Sequence, residues 1–287
     1  MRAERPEGSA DESRALSQVL RCLELETLDD DLFLGDPGPG EGRLFGGMVA
    51  AQSVIAAFRT VEPARRLHSL HSYFLRPGRH HSPIRFLVDR IRDGRTFTTR
   101  RVVAHQAGEP IFSMEASFTV PAPGIEHQDA RPDAPPPEEC EDSELRRLAK
   151  LGAEWIHHPI NAVELRFTRR SSNREPSEPM QRYWMRARGR VEGGDRLHAA
   201  LFVYASDRAL LSTAALPHGV RWGRSLTASL DHAVWLHRDV DVNEWLLFDT
   251  RSPGAHDGRG LVLAGIYRGD GARVATVAQE ALIRLHG

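Results

Sequence analysis

Lysine is almost missing from this chain: Lys150 is the single one among 287 residues, and the remaining basic side chains are arginines. Neither charge is in excess. Lys plus Arg total 38 against 39 Asp plus Glu, for a net charge of −1. A nucleic-acid-binding protein normally carries a clear basic surplus, so nucleic acid is not an expected partner. Cysteine is scarce too, and Cys22 and Cys140 are too few for a disulfide framework or a four-cysteine zinc site. A reducing compartment, the cytoplasm, follows as the expectation. The densest apolar run, Ala199 to Ala205, is far short of the roughly 18 residues of a membrane span. Met1 to Asp11 mixes charges and proline without an apolar core, which argues against a secretion signal. GxGxxG, Walker and HExxH motifs are all missing. The histidine pairs His80-His81 and His157-His158 are sequence neighbours, and strand alternation would point their rings apart. Neither a metal nor a cofactor is expected.

What is present is a patterned globular chain, 40% hydrophobic. Its length suits roughly two domains. After a polar leader (1–14), Asp11 to Thr27 has Leu16, Val19, Leu20 and Leu23 at helical spacing. Phe45 to Phe58 is apolar on nearly every side, which predicts a helix buried all round, with Pro63 beyond its end. Between Leu67 and Val120 the period changes to that of strands, His71–Leu75, Pro83–Ile91, Thr96–His105 and Pro110–Val120. Asp93-Gly94 and Ala107-Gly108 read as hairpin turns. Residues 121–150 are rich in proline and acid and read as a linker, extended and free of the folded body.

Beyond the linker (151–287) the order repeats. Strands are predicted at Val163–Thr168 and Gln181–Val191, then a buried helix at Asp195–Leu211. Further strands follow at Leu226–His237, Glu244–Thr250, Gly260–Tyr267 and Arg273–Arg284. The charged pair Asp207-Arg208 interrupts the apolar helix and is expected to satisfy itself or a neighbour across the dimer of halves. Leu70–Leu75 aligns with Asp231–Leu236 at an offset of 161, and Gly108–Met114 with Gly271–Val277 at 163. A long buried helix followed by a strand meander, twice, implies an α+β pseudo-dimer. Each half would be a curved antiparallel sheet wrapped around its helix.

The stretches Leu67-His68-Ser69-Leu70-His71-Ser72-Tyr73-Phe74-Leu75-Arg76-Pro77-Gly78, Arg92-Asp93-Gly94-Arg95-Thr96-Phe97 and Leu230-Asp231-His232-Ala233-Val234-Trp235-Leu236-His237, with Gln279-Glu280, carry a resemblance. The chain, from about residue 15 to 285 without the linker, resembles the acyl-CoA thioesterase II family. That resemblance implies a double hotdog (N-terminal hotdog 15–120, C-terminal hotdog 151–287) and hydrolysis of acyl-CoA to free acid and CoA. It also implies no metal and no covalent intermediate, an acyl-CoA substrate, and a homodimer or higher homo-oligomer. The family's catalytic Asp, hydroxyl and Gln, carried over motif by motif, fall on Asp231, Ser252 and Gln279.

In this reading Asp231, among apolar neighbours, has a raised pKa and takes a proton from water that Ser252 and Gln279 orient. Gly46 and Gly47, at a buried helix start, are the candidate oxyanion donors. Among strand arginines 90, 92, 95, 100 and 101, Arg92, Arg95 and Arg101 are the candidates for CoA phosphates, against the commoner role of solvated strand charges. The first-half counterparts of Asp231 and Gln279 are the apolar Leu70 and Ala116. A pair serving only the shared fold would be needed in both copies. His232 is read as a packed neighbour of the acid. The competing readings are a non-catalytic acyl-CoA-binding protein and a hotdog enoyl-CoA hydratase.

Overall fold

A computed structural model describes residues 10–143, 161–169, 175–219 and 225–285. The start of the leader, the end of the linker, His157-His158 and the first residues of the second half lie outside them. The chain opens with α1 (Ala10–Cys22), β1 (Glu26–Asp29) and β2 (Leu32–Gly35). Next come the buried helix α2 (Gly46–Arg59) and β3 (Arg66–Phe74), β4 (Ile84–Asp93), β5 (Phe97–Gln106) and β6 (Glu109–Thr119). Ala107 and Gly108 both have positive φ, 49° and 84°, as a two-residue hairpin turn demands. The second half has β7 (Val163–Phe167), β8 (Met180–Ala187), helix α3 (Asp195–Ser206) and the short helix α4 (Leu210–Ala215). It closes with β9 (Ser225–Ser229), β10 (Asp231–Leu236), β11 (Leu246–His256), β12 (Arg259–Arg268) and β13 (Arg273–Leu285).

Two predicted elements divide. The helix expected over 195–211 stops at Ser206, with Asp207 as its cap, and the strand expected over 226–237 breaks at Leu230.

The strands form one antiparallel sheet in the order β1-β2-β4-β5-β6-β3-β10-β13-β12-β11-β8-β7, with β9 also on β13. The order is mirrored about the β3–β10 seam, where Tyr73 pairs with Asp231 and Ser69 with Trp235. This is the double hotdog. The two long helices lie antiparallel against each other on the inner face. Phe45, before α2, meets Tyr204 near the end of α3 edge to face at 5.2 Å, and Arg196 of α3 donates to the Phe58 carbonyl at the other end (2.7 Å). Apolar side chains all around α2 bury it, and its two buried polar side chains donate to backbone carbonyls. Gln52 donates to the carbonyls of Cys22 and Asp36, and Ser53 to that of Val49.

The registers correct the alignment of the repeat. Leu70 lies opposite Ala116, and one step beyond the Ala233–Ala278 pair His232 lies opposite Gln279. With Ala116 matched to Gln279, the mate of Leu70 is therefore His232, an offset of 162. Both are fully buried on the inner face. An offset of 161 matches the inward Leu70 to Asp231, which the pleat turns to the other face.

The linker is also different from expectation. Residues 128–142 run over the outer face of the C-terminal half of the sheet rather than hanging free. Trp184 Nε1 donates to the Pro135 carbonyl at 2.8 Å, Arg166 to that of Pro137 at 2.9 Å, and Arg273 pairs with Asp129 at 2.6 Å. Outward-facing Trp184, Leu247 and Tyr267 explain why, since they are buried only because the strap covers them with Ala134 and Cys140.

Candidate active site

The end of α3 carries the least expected side chain in the core. Asp207 is 6% exposed, at the foot of a helix whose preceding residues from Ala199 are all buried. Its carboxylate Oδ1 accepts hydrogen bonds from Gln279 Nε2 (2.6 Å) and Ser229 Oγ (2.9 Å). Gln279 Nε2 also donates to Ser229 Oγ at 2.7 Å, and the Gly47 N–H donates to the same carboxylate. Burial pushes the Asp207 carboxyl up to about 6, against the lowering effect of these donors and of Arg208. A buried acid that titrates just below neutrality, with a hydroxyl and an amide fixed beside it, is the arrangement of a proton acceptor for a bound water.

Three elements supply the trio for local reasons. Asp207 caps α3, Ser229 ends β9, and Gln279 points inward from β13. Gly46 and Gly47 let α2 approach closely. A Cβ at Gly46 would crowd Phe74 and the Asp207 carboxylate, and one at Gly47 would overlap the Tyr204 carbonyl oxygen. The positive end of α2 thereby faces the acid. Asp207 and Ser229 open on a cavity of about 590 Å³ that Phe45, Gly46, Phe74 and Leu230 also line.

The trio carried over from motifs is not assembled. Asp231 sits on the outer face of β10, opposite the exposed Tyr73, and its Oδ1 accepts the Glu280 N–H at 2.6 Å. Burial raises its pKa as expected, but the carboxylate faces away from the Gln279 amide. Ser252 is buried in β11 beside a bulge, and β12 lies between it and β13. Two strand spacings put it roughly 10 Å from Gln279. Gly47 has its N–H occupied by Asp207, which leaves Gly46 as the oxyanion candidate. Arg92, Arg95 and Arg101 are exposed and do not line the cavity, whereas Arg43, Arg76 and Arg208 do.

At the other end of the helix pair lies the pseudo-twofold mate of this cavity, about 1180 Å³, where the N-terminus of α3 meets the C-terminus of α2. It lacks the trio. Thr60, the cap of α2, corresponds to Asp207; Leu67, opposite Phe118, corresponds to Ser229, opposite Ala281; and Ala116 corresponds to Gln279. Behind Thr60 the buried Arg100 donates to its hydroxyl and carbonyl, both at 2.9 Å, and pairs with Asp93.

Comparison with known proteins agrees across the chain. Residues 35–119 match the family model described as the acyl-CoA thioesterase N-terminal domain, and residues 130–283 match that of the C-terminal domain. The chain is 38% identical to acyl-coenzyme A thioesterase 8 of Homo sapiens over 93% of this chain and 89% of that protein. It is 35% identical to acyl-CoA thioesterase 2 of Haemophilus influenzae, over 95% and 99%. A crystal structure of an acyl-CoA thioesterase II from Mycobacterium marinum superposes with a TM-score of 0.79 at 38% identity, covering 93% and 98%.

Proposed function

The chain belongs to the acyl-CoA thioesterase family and hydrolyses acyl-CoA thioesters, and we propose that Asp207, Ser229 and Gln279 perform the reaction. The observation that carries this is the convergence of the Ser229 hydroxyl and the Gln279 amide on one oxygen of a buried carboxylate at the cavity wall. In the resting site these groups bond one another; with substrate present they hold the attacking water. Asp207 accepts a proton from that water as its oxygen bonds to the thioester carbon. The carbonyl oxygen gains the electron pair, stabilised by the Gly46 N–H at the positive end of α2. When the intermediate collapses, the C–S bond breaks and the proton on Asp207 passes to the CoA sulfur. The products are a carboxylic acid and CoA, and the carboxylate is restored.

The CoA phosphates are assigned to Arg43, Arg76 and Arg208, which line the cavity, rather than to Arg92, Arg95 and Arg101. Among the described residues no helix is long and apolar enough to cross a membrane. We assign the enzyme to the cytoplasm, consistent with two free, buried thiols. We also assign it to a homo-oligomer. Tyr73, Leu87 and Ile91 stand exposed on the N-terminal sheet, apolar surface of the kind that interfaces cover.

The test is thiol release from acyl-CoAs of increasing chain length by wild type, Asp207→Asn and Asp231→Asn. Loss of turnover in the first variant, with Asp231→Asn near wild type, is expected. The opposite ranking would return the base to Asp231.

A further inference from the structure

The Gln279 amide has two ends, and only one is accounted for by the trio. Its Nε2 must face Asp207, since a carboxylate accepts hydrogen bonds and an amide oxygen cannot donate one. Oε1 therefore points away. It is buried and has no regular hydrogen-bond partner among the described residues. Only one other imidazole or amide atom of this cluster is in the same position, Nδ1 of His232. The two residues are cross-strand neighbours, and the Gln279 side chain interacts with the ring strongly enough to favour its protonated form. On the far side of the ring, Nε2 lies 2.9 Å from Ser206 Oγ, one residue before Asp207.

We propose that His232 is a positioning residue, a neutral imidazole that carries its proton on Nδ1, donates it to Gln279 Oε1 and thereby fixes which way the amide faces. Nε2 then accepts the Ser206 hydroxyl proton at 2.9 Å, in preference to the Val203 carbonyl at 3.1 Å, so the chain Ser206–His232–Gln279–Asp207 runs donor to acceptor throughout. The opposite tautomer would set two lone pairs against each other in a buried site. It would also leave the amide free to turn its oxygen toward the carboxylate. Burial keeps the ring neutral by pushing its pKa down to about 4.

The other half of the molecule supports a role beyond packing. There Leu70 stands for His232 and Ala116 for Gln279, both fully buried, and Thr60 takes the place of Asp207. The imidazole occurs where the acid and amide occur, and a leucine fills the same position in the other half of the sheet.

This inference rests on the assignment of Asp207 and Gln279 to the reaction, and two measurements keep the two claims apart. Nitrogen-15 shifts of histidine-labelled wild-type enzyme at pH 7 report the tautomer directly, without turnover. Protonated Nδ1 with bare Nε2 is expected at His232, identified by its absence in a His232 variant, and the reverse pattern overturns the proposal. In thiol release, His232→Leu should lose about 10- to 100-fold in kcat with little change in KM, the cost of one oriented hydrogen bond in a buried site. His232→Asn, whose amide nitrogen sits near the place of Nδ1, should recover most of that loss. Equal kcat in His232→Leu and wild type refutes positioning. Full activity in Asp207→Asn would instead strike at the mechanism and leave the tautomer result standing. Should the leucine variant fail to fold, the wild-type nitrogen shifts and the asparagine variant still decide.

Discussion

Replacing Asp207 by asparagine should remove catalysis and raise stability, two effects in opposite directions from one atom. Holding this carboxyl at about 6 rather than near 4 means that its ionised form is disfavoured in the folded protein. The difference corresponds to about 3 kcal/mol at neutral pH. Asparagine keeps an oxygen for Ser229 and Gln279 but presents an NH₂ to one donor, so about 1 kcal/mol is given back where the Gly47 N–H loses its acceptor. A net gain of about 2 kcal/mol, or several degrees in Tm, is expected by calorimetry at pH 7.5. The pH dependence sharpens the test. A carboxyl with a raised folded pKa binds more protons folded than unfolded between about 4 and 6, so its contribution to stability falls as pH rises across that window and is flat above it. His232, with its pKa lowered to about 4, acts in the opposite sense between about 4 and 6.5. The difference between variant and wild type isolates Asp207: about 1 kcal/mol against the variant at pH 4, where only the lost hydrogen bond counts, and about 2 kcal/mol in its favour by pH 7. Turnover should fall about 10²- to 10⁴-fold. A variant that is less stable than wild type at pH 7.5, or one that turns over normally, would refute the reasoning.

For the wild type, kcat/KM should decline tenfold per pH unit below about 6, read from a pH–rate profile of thiol release. Ser229→Ala takes one donor from the ionised carboxylate, so the same acid limb should move upward in pH while kcat falls. Gly47→Ala forces α2 off the Tyr204 carbonyl, and chemical denaturation should register a loss of about 1 to 3 kcal/mol together with reduced kcat. Trp184→Ala empties the outer cluster beneath the strap, which should cost about 3 to 5 kcal/mol and open residues 128–142 to limited proteolysis.

The two buried helices, the hairpins and the duplicated order were legible because each depends on local periodicity, apolar on every side of Phe45–Phe58 or alternating in the strands. Asp207 and Ser229 were not. Gln279 is 72 positions from Asp207 and 50 from Ser229, and only strand pairing brings them together. The motif Asp231-His232 attracts attention by its residue types, yet the pleat turns the aspartate outward and the histidine in. Matching the repeat by burial phase rather than by residue likeness would have put His232, not Asp231, on Leu70. One direct signal did exist. A charged residue fastened to the end of an otherwise apolar, buried helix must lie at the edge of a core, and Asp207 is such a residue.

The unequal cavities at the two ends of the helix pair have a genetic consequence. In an association of two identical hotdogs every substitution appears twice, so a change that suits one pocket is imposed on the other. Joining the halves in one polypeptide removes that constraint, and each codon then addresses one end only. Thr60 and Arg100 could replace an acid and its surroundings at one end while Asp207 persisted at the other. With the reaction assigned to Asp207, as proposed above, the fused chain keeps one turnover centre per pair of folds, and the other end is left open to drift or to be given other work.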